Sequence, residues 1–328
     1  MLYIIKEDNF LADYILGALE GRDDISLIRF ERTKCRGVMK IPQLVIRFLR
    51  AIVINRKGMW NRWFFPDSFM RRLDVIGADD KVLMFSCQNL KELLVLDKEI
   101  ACRSKSVFIW NPLSTINRNA YSRWEYAYKL HRTDMRVCTF DEGDAERYGF
   151  EPVKQVYRHP AERPVAGADV TGGLMSDVFY VGKDKKRSRI LLDIVTQLES
   201  QQLRCDFSIL YDKHAKAVSE LKSYYTNRLM AYGEYCDRAL RSACMLEILQ
   251  KGQTGMTMRT LEALFFNKKL ITTNVAARQL PFYHPDNIYV LDGKERRTIR
   301  DFIYSGRPHY PRQNINDYDI EHWICQFL

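Results

Sequence analysis

The chain has 328 residues, 46% hydrophobic and 28% charged, which is long enough to bury two cores and too apolar for a largely disordered protein. Its formal net charge of +10 implies an anionic partner: nucleic acid, an acidic lipid surface or a phosphorylated substrate. No apolar run reaches the ~18 residues of a membrane span, and the start, MLYIIKEDNF, has no basic region before its apolar stretch, so neither a membrane-spanning nor a secreted chain is expected.

In the first half, short apolar strands alternate with helices. Residues 2–5 form the first strand, and Asp8 or Asn9 can cap a helix carrying Phe10, Leu11, Tyr14, Ile15 and Leu19. Further strands are predicted at 25–30, 81–86, 106–110, 136–140 and 153–157. This alternation indicates a parallel sheet covered on both faces, with ligands bound beyond the carboxyl ends of its strands. Glu7, Asp8, Gln88, Asn89, Asn111, Asp141 and Glu142 fall at those ends. Asp141, Glu142 and Asp144 are open to two roles, a general base or the cap of a helix at 145–148.

Residues 42–74 mix arginine and lysine with Trp60, Trp63, Phe64 and Phe65. Three readings stay open: a core helix at 44–54 followed by a loop, a contact with acidic lipid, or single-stranded nucleic acid stacked on the rings. From 158 to 176 prolines and glycines cluster, which marks the linker and sets the domain boundary at 165/166.

The second half repeats the pattern, with strands at 177–181, 206–211, 243–249, 270–273 and 287–291. Helices are predicted at 190–201, 215–222, 295–304 and 319–328, and residues 235–239 read as a strand edge or turn. Glu247, inside an apolar strand, is either a buried partner or an edge residue. After the strand at 177–181 comes GKDKKRSR, where Gly182 permits a tight bend and Lys183, Lys185, Lys186, Arg187 and Arg189 crowd a helix start. Cations there oppose the helix dipole, which argues for a bound anion.

The segment 252–274, GQTGMTMRTLEALFFNKKLITTN, runs from a polar loop through an apolar helix to a strand. Gly252 and Gly255 let the backbone approach a ligand, Thr257 can cap the helix that Met258 begins, and Leu261, Leu264 and Phe265 bury one face. Arg259 and Glu262 in its first turns suit a phosphate and a sugar hydroxyl.

Several other chemistries find no support. GxxxxGK[ST], GxGxxG and GxSxG are all absent. The eight cysteines are scattered without C-x-x-C and read as reduced core residues of a cytosolic chain, and the six histidines lack metal-ligand spacing.

Two α/β halves, a basic loop after the first strand of the second half, and a glycine-threonine loop entering an R-x-x-E helix resemble the GT-B glycosyltransferases. The likeness is to the bacterial group that builds lipopolysaccharide and capsule. The positions that carry it are Gln253, Gly255, Thr257, Arg259, Glu262, Ala263, Leu264 and residues 268–274, with CTFDEGDAERYGF and FIWNP in the first half. The E-x(7)-E spacing of the retaining families is absent, leaving the stereochemical outcome open.

The resemblance implies two Rossmann-like domains facing across a cleft, an acceptor domain at 1–165 and a nucleotide-sugar domain at 166–328 whose last helix packs back on the first. Gly182, Lys183 and Arg187 would meet the diphosphate, Gln253 and Gly255 belong to the donor loop, Thr257 and Arg259 would neutralise the leaving group, and Glu262 would take the ribose hydroxyls. Asp8 or Asp141 would be the base. No cofactor and no metal are expected, the nucleotide sugar being a substrate. The acceptor would be a glycan or lipid-linked molecule, reached from the cytoplasmic side with residues 42–74 on an acidic membrane. The rival reading is a non-catalytic nucleic-acid-binding or regulatory α/β protein.

Overall fold

The computed structural model describes residues 1–32, 65–114, 122–159, 173–212, 218–250 and 255–328. Met1–Lys154 with Ile324–Leu328 make one compact unit, and Gln155–Trp323 make the other. The helix expected at 44–54 and most of the proline- and glycine-rich linker lie outside the described residues.

The first unit runs β1 (Leu2–Lys6), α1 (Phe10–Leu16), β2 (Ile25–Arg29), α2 (Asp67–Leu73), β3 (Lys81–Phe85), α3 (Leu90–Glu99), β4 (Ser104–Ile109), α4 (Arg123–Leu130), β5 (Met135–Thr139), α5 (Glu142–Tyr148) and β6 (Glu151–Pro152). Its strands form one parallel sheet in the order β2-β1-β3-β4-β5-β6. Ile4, Ile5, Leu83, Met84, Val107 and Phe108 are buried, as strands covered on both faces require. Asn9, not Asp8, caps α1, accepting from the Leu11 and Ala12 amides.

Two expectations need correction here. The strand at 153–157 is instead β6, two residues long, followed by an isolated bridge between Tyr157 and Asp319. Pro152 has no N–H to give a further neighbour, which suits an edge and stops the ladder. In the basic aromatic stretch, Phe65 and Phe69 pack edge-on against Phe30 with ring centroids 5.4 and 5.3 Å away, and both are buried. These two rings belong to the core.

The second unit runs β7 (Ser176–Lys183), α6 (Ser188–Ser200), β8 (Cys205–Leu210), β9 (Tyr225–Thr226), α7 (Tyr232–Leu240), β10 (Ser242–Glu247), α8 (Met258–Phe265), β11 (Lys269–Thr272), β12 (Ile288–Val290), α9 (Ile299–Tyr304), α10 (Arg312–Asn316) and α11 (Ile320–Trp323). Again every pairing is parallel, in the order β12-β11-β10-β7-β8-β9. The expected strand edge at 235–239 is the interior of α7: Tyr235, Cys236 and Ala239 form its buried stripe at helical spacing. The final helix expected at 319–328 is α11 followed by a 3-10 turn at Ile324–Phe327.

Candidate functional site

In the second sheet the chain leaves β7 towards β8 and β9 on one side, then crosses back to place β10, β11 and β12 on the other. Loops beyond β7 and β10 therefore diverge, and the crevice at their carboxyl ends is where a doubly wound sheet takes a ligand. Both segments singled out in the sequence open from these two strands.

Gly182 and Lys183 finish β7, and a tight turn over Asp184–Arg187 leads into α6, closed by the Arg187 amide donating to the Asp184 carbonyl at 3.0 Å. Lys185 and Lys186 occupy the left-handed region, φ 49° and 65°, where side chains cost roughly 1 kcal/mol or more each. Asp184 anchors the turn, accepting from the Arg187 amide at 3.0 Å and from the Tyr225 hydroxyl. The Arg187 guanidinium donates to the Ile248, Lys183 and Asp184 carbonyls, so it binds the turn to the end of β10 before any ligand arrives. Three of its five N–H groups are used and two remain.

The start of α6 has no acidic residue in its first turn and no side-chain bond from its cap. Asp184 is taken up by the Arg187 amide and Tyr225, and Asp212 lies 3.8 Å from Lys183, so the amides of the first turn and the remaining cations still favour an anion. Partial burial, with Arg187 and Lys183 beside it, pushes the Lys185 ammonium below its ordinary range. Tyr180, 3% exposed, has a hydroxyl with no hydrogen-bond partner among the described residues. A Cβ built on Gly182 would lie 2.7 Å from that hydroxyl, so only glycine lets the backbone pass the phenol. Leaving a buried hydroxyl unpaired costs about 1–3 kcal/mol, and an incoming acceptor would recover it.

The second segment enters α8. Thr257 is its cap, accepting from the Arg259 amide at 3.1 Å, and its hydroxyl also donates to Glu247. Glu247 is buried and takes two more hydroxyls, from Thr260 at 2.7 Å and from Thr272. Of the two roles left open for Glu247, the structure gives the buried partner, pinning the loop, α8 and β11 to the end of β10.

Glu262 is also buried, at 4% exposure, because α8 is covered from Thr260 to Phe265. Its Oε1 accepts from the Tyr232 hydroxyl at 3.0 Å; its Oε2 accepts from the Tyr235 hydroxyl at 2.5 Å and from Arg259 Nη1 at 3.0 Å. Burial pushes the Glu262 carboxyl upward, against the pull of Arg259 and Tyr232. Arg259 also donates to the Val181 carbonyl at 2.8 Å and lies 4.6 Å above the Tyr235 ring. Arg187 and Arg259 thus tie the two halves of the switch point together from opposite strands.

Of the residues expected to hold the donor, Gly182, Lys183, Arg187, Thr257, Arg259 and Glu262 gather on this edge through these bonds. Gly255 opens the described part of the α8 loop, and Gln253 lies outside the described residues. Asp8 and Asp141 stand in the first unit, after β1 and β5. Asp8 keeps its side chain 76% exposed, 3.5 Å from Arg29. Asp141 is the cap of α5, accepting from the Asp144 amide at 2.9 Å. Strands β3 and β4 separate β1 from β5, which puts the two aspartates about 14 Å apart at ~4.8 Å per strand.

Tyr180, Tyr232 and Tyr235 were missed by the sequence reading. For the last two a signal existed: with Cys236 and Ala239 they repeat at i, i+3, i+4 and i+7, the spacing of a helix face. For Tyr180 none existed, since nothing in an apolar strand marks which hydroxyl packing leaves without a partner.

No protein-family model and no curated protein matches the sequence. Solved structures do match its fold. The Candida albicans trehalose-6-phosphate phosphatase N-terminal domain superposes with a TM-score of 0.53 at 12% identity, covering 99% of this chain and 96% of its own. Sucrose-phosphate synthase from Thermosynechococcus elongatus gives 0.54 at 9% identity, covering 99% and 97%. With its two parallel six-stranded sheets, the chain has the two-domain α/β fold of the GT-B glycosyltransferases.

Proposed function

We propose that the protein is a glycosyltransferase that moves a sugar from a nucleotide-activated donor to a glycan or lipid-linked acceptor. The observation that carries this reading is the convergence at one switch point of an unpaired buried phenol, a strained dilysine turn and a helix with no acid in its first turn. A diphosphate would pair with the phenol and with the crowded cations, and the strained backbone of the turn holds those cations in place. The donor is a substrate and no cofactor takes part.

In the proposed reaction an acceptor hydroxyl gives its proton to a carboxylate, Asp8 or Asp141, and its oxygen bonds to the anomeric carbon. The bond from that carbon to the diphosphate oxygen breaks, and the nucleoside diphosphate leaves with the electron pair. Lys183, Lys185, Lys186 and the two remaining N–H groups of Arg187 offset the charge that grows on the leaving oxygen, with Arg259 behind them. These fixed cations do what a divalent ion does elsewhere, so chelation is expected to leave turnover unchanged. Glu262 has about one acceptor position left on Oε1, enough for one ribose hydroxyl.

The sequence likeness favours bacterial surface polysaccharide as the setting, and the net charge of +10 favours work at an acidic, cytoplasmic membrane face. No helix among the described residues is long and apolar enough to cross a membrane. Thermal denaturation with UDP-, GDP-, CMP- and dTDP-sugars tests the reading, since a ligand at a hundred times its Kd stabilises by about 2.7 kcal/mol. One family of nucleotides should raise the midpoint. A flat response to all, with salt-sensitive binding to nucleic acid, would favour the non-catalytic rival.

A further inference from the structure

We propose that Tyr232, held in turn by Tyr157, is a positioning residue that orients the Glu262 carboxylate towards the donor ribose. This inference rests on the glycosyltransferase reading above and extends it to two residues outside the expected donor set. Tyr157 is fully buried, its ring centroid 5.0 Å from that of Phe265 at the end of α8. Its backbone is fixed on both sides: its amide donates to the Tyr318 carbonyl at 2.8 Å, and its carbonyl accepts from the Ile320 amide at 2.8 Å. The Tyr157 and Tyr232 hydroxyls meet in a short contact, and the Tyr232 hydroxyl donates to Glu262 Oε1.

Geometry gives the relay its direction. Tyr235 and Arg259 both donate to Oε2, whereas Tyr232 is the donor bound to Oε1, the oxygen with an acceptor position to spare. Tyr232 and Tyr235 stack nearly parallel, 13° apart with centroids at 5.4 Å, so one helix face fixes both ends of the carboxylate. With a proton from Tyr157 available to its oxygen, Tyr232 can direct its own to Glu262, and hydrogen bonds in a buried chain reinforce one another. Among the described residues, Tyr232 and Tyr235, with Arg259 on the same helix and Glu247 on β10, are the titratable and charged groups acting on Glu262, and Tyr157 reaches it through Tyr232.

The test compares wild type with Tyr232→Phe and Tyr157→Phe, both of which keep the ring and its packing. Each is titrated with the nucleoside diphosphate that stabilises wild type most and with its 2′,3′-dideoxy analogue, from pH 5 to 9. Losing one donor to a charged acceptor should weaken diphosphate binding by about tenfold in Tyr232→Phe and less in Tyr157→Phe. The carboxylate, with less to hold it ionised, should protonate more readily, so the acid limb of the binding curve moves to higher pH. With the dideoxy analogue the penalty should vanish, which a merely structural loss would not produce. Equal penalties for both ligands, or an unmoved acid limb with unchanged affinity, would overturn the relay while leaving the donor site standing. Failure of wild type to bind any nucleoside diphosphate would overturn the donor site and the relay with it.

Discussion

At the scale of single residues, the site is built by side chains that hold each other before they hold a ligand. Thr257 shows how much one hydroxyl carries: it caps α8 and also satisfies the buried Glu247. Thr257→Ala should therefore cost more than the ~1 kcal/mol of an ordinary cap, because an acceptor inside the sheet edge is left short. About 2–3 kcal/mol by urea unfolding is expected; under 0.5 kcal/mol would mean that the Glu247 hub does not hold the loop. Gly182 is constrained by space, not by its backbone angles. Gly182→Ala sets a methyl 2.7 Å from the Tyr180 hydroxyl, so nucleotide affinity should drop together with a stability loss of about 1–3 kcal/mol. Retained affinity in a stable alanine variant would show that the phenol does not face the ligand.

At the scale of elements, the residues that read well from sequence are those whose role is local. Thr257 at the start of α8 and the Leu261, Leu264, Phe265 stripe follow from spacing and capping chemistry alone, and the structure has both. What sequence left unread depends on the partners an element meets. Residues 235–239 read as a strand edge or turn, yet the helical stripe of Tyr235, Cys236 and Ala239 decides the case for α7. Glu262 sits in the first turns of α8 as the sequence indicates, but its burial follows from packing that covers the helix and was not legible.

The joint between α7 and β11 offers a test of element packing through pH. Lys268 donates to the Leu240 and Ser242 carbonyls at 2.6 and 2.8 Å, and burial pushes its ammonium down to about 8. Between pH 8 and the ordinary value of 10.5 the unfolded chain binds a proton that the folded chain does not, so this group makes stability rise with pH across that window. Comparing Lys268→Met with wild type should show that rise lost in the variant. Parallel stability curves from pH 8 to 10.5 would contradict the burial.

At the scale of the whole molecule, two parallel sheets were legible because each strand is a short apolar run closed by polar residues, and the hydrophobic pattern fixes which segments go inside. Strand order was not. The switch between β7 and β10, which brings Arg187 within bonding distance of Ile248 and Val181 within bonding distance of Arg259, is a long-range arrangement that no local pattern encodes. Only with that order does the basic turn, which sequence alone marks as an anion site, gain Arg259 beside it and, through Arg259, Glu262. The fold alone permits many chemistries, so the functional claim rests on this edge.

The most direct test is therefore the affinity of the best-stabilising nucleoside diphosphate for wild type and for the double variant Lys185→Asn, Lys186→Asn. Asparagine tolerates the left-handed turn at φ 49° and 65°, so the variant should keep its shape and fold at least as stably. If the turn is the diphosphate cradle, affinity should fall at least tenfold and depend less steeply on salt, since two charges within reach of the ligand are gone. Unchanged affinity and an unchanged salt slope in the folded variant would contradict a donor site at the β7–β10 switch point.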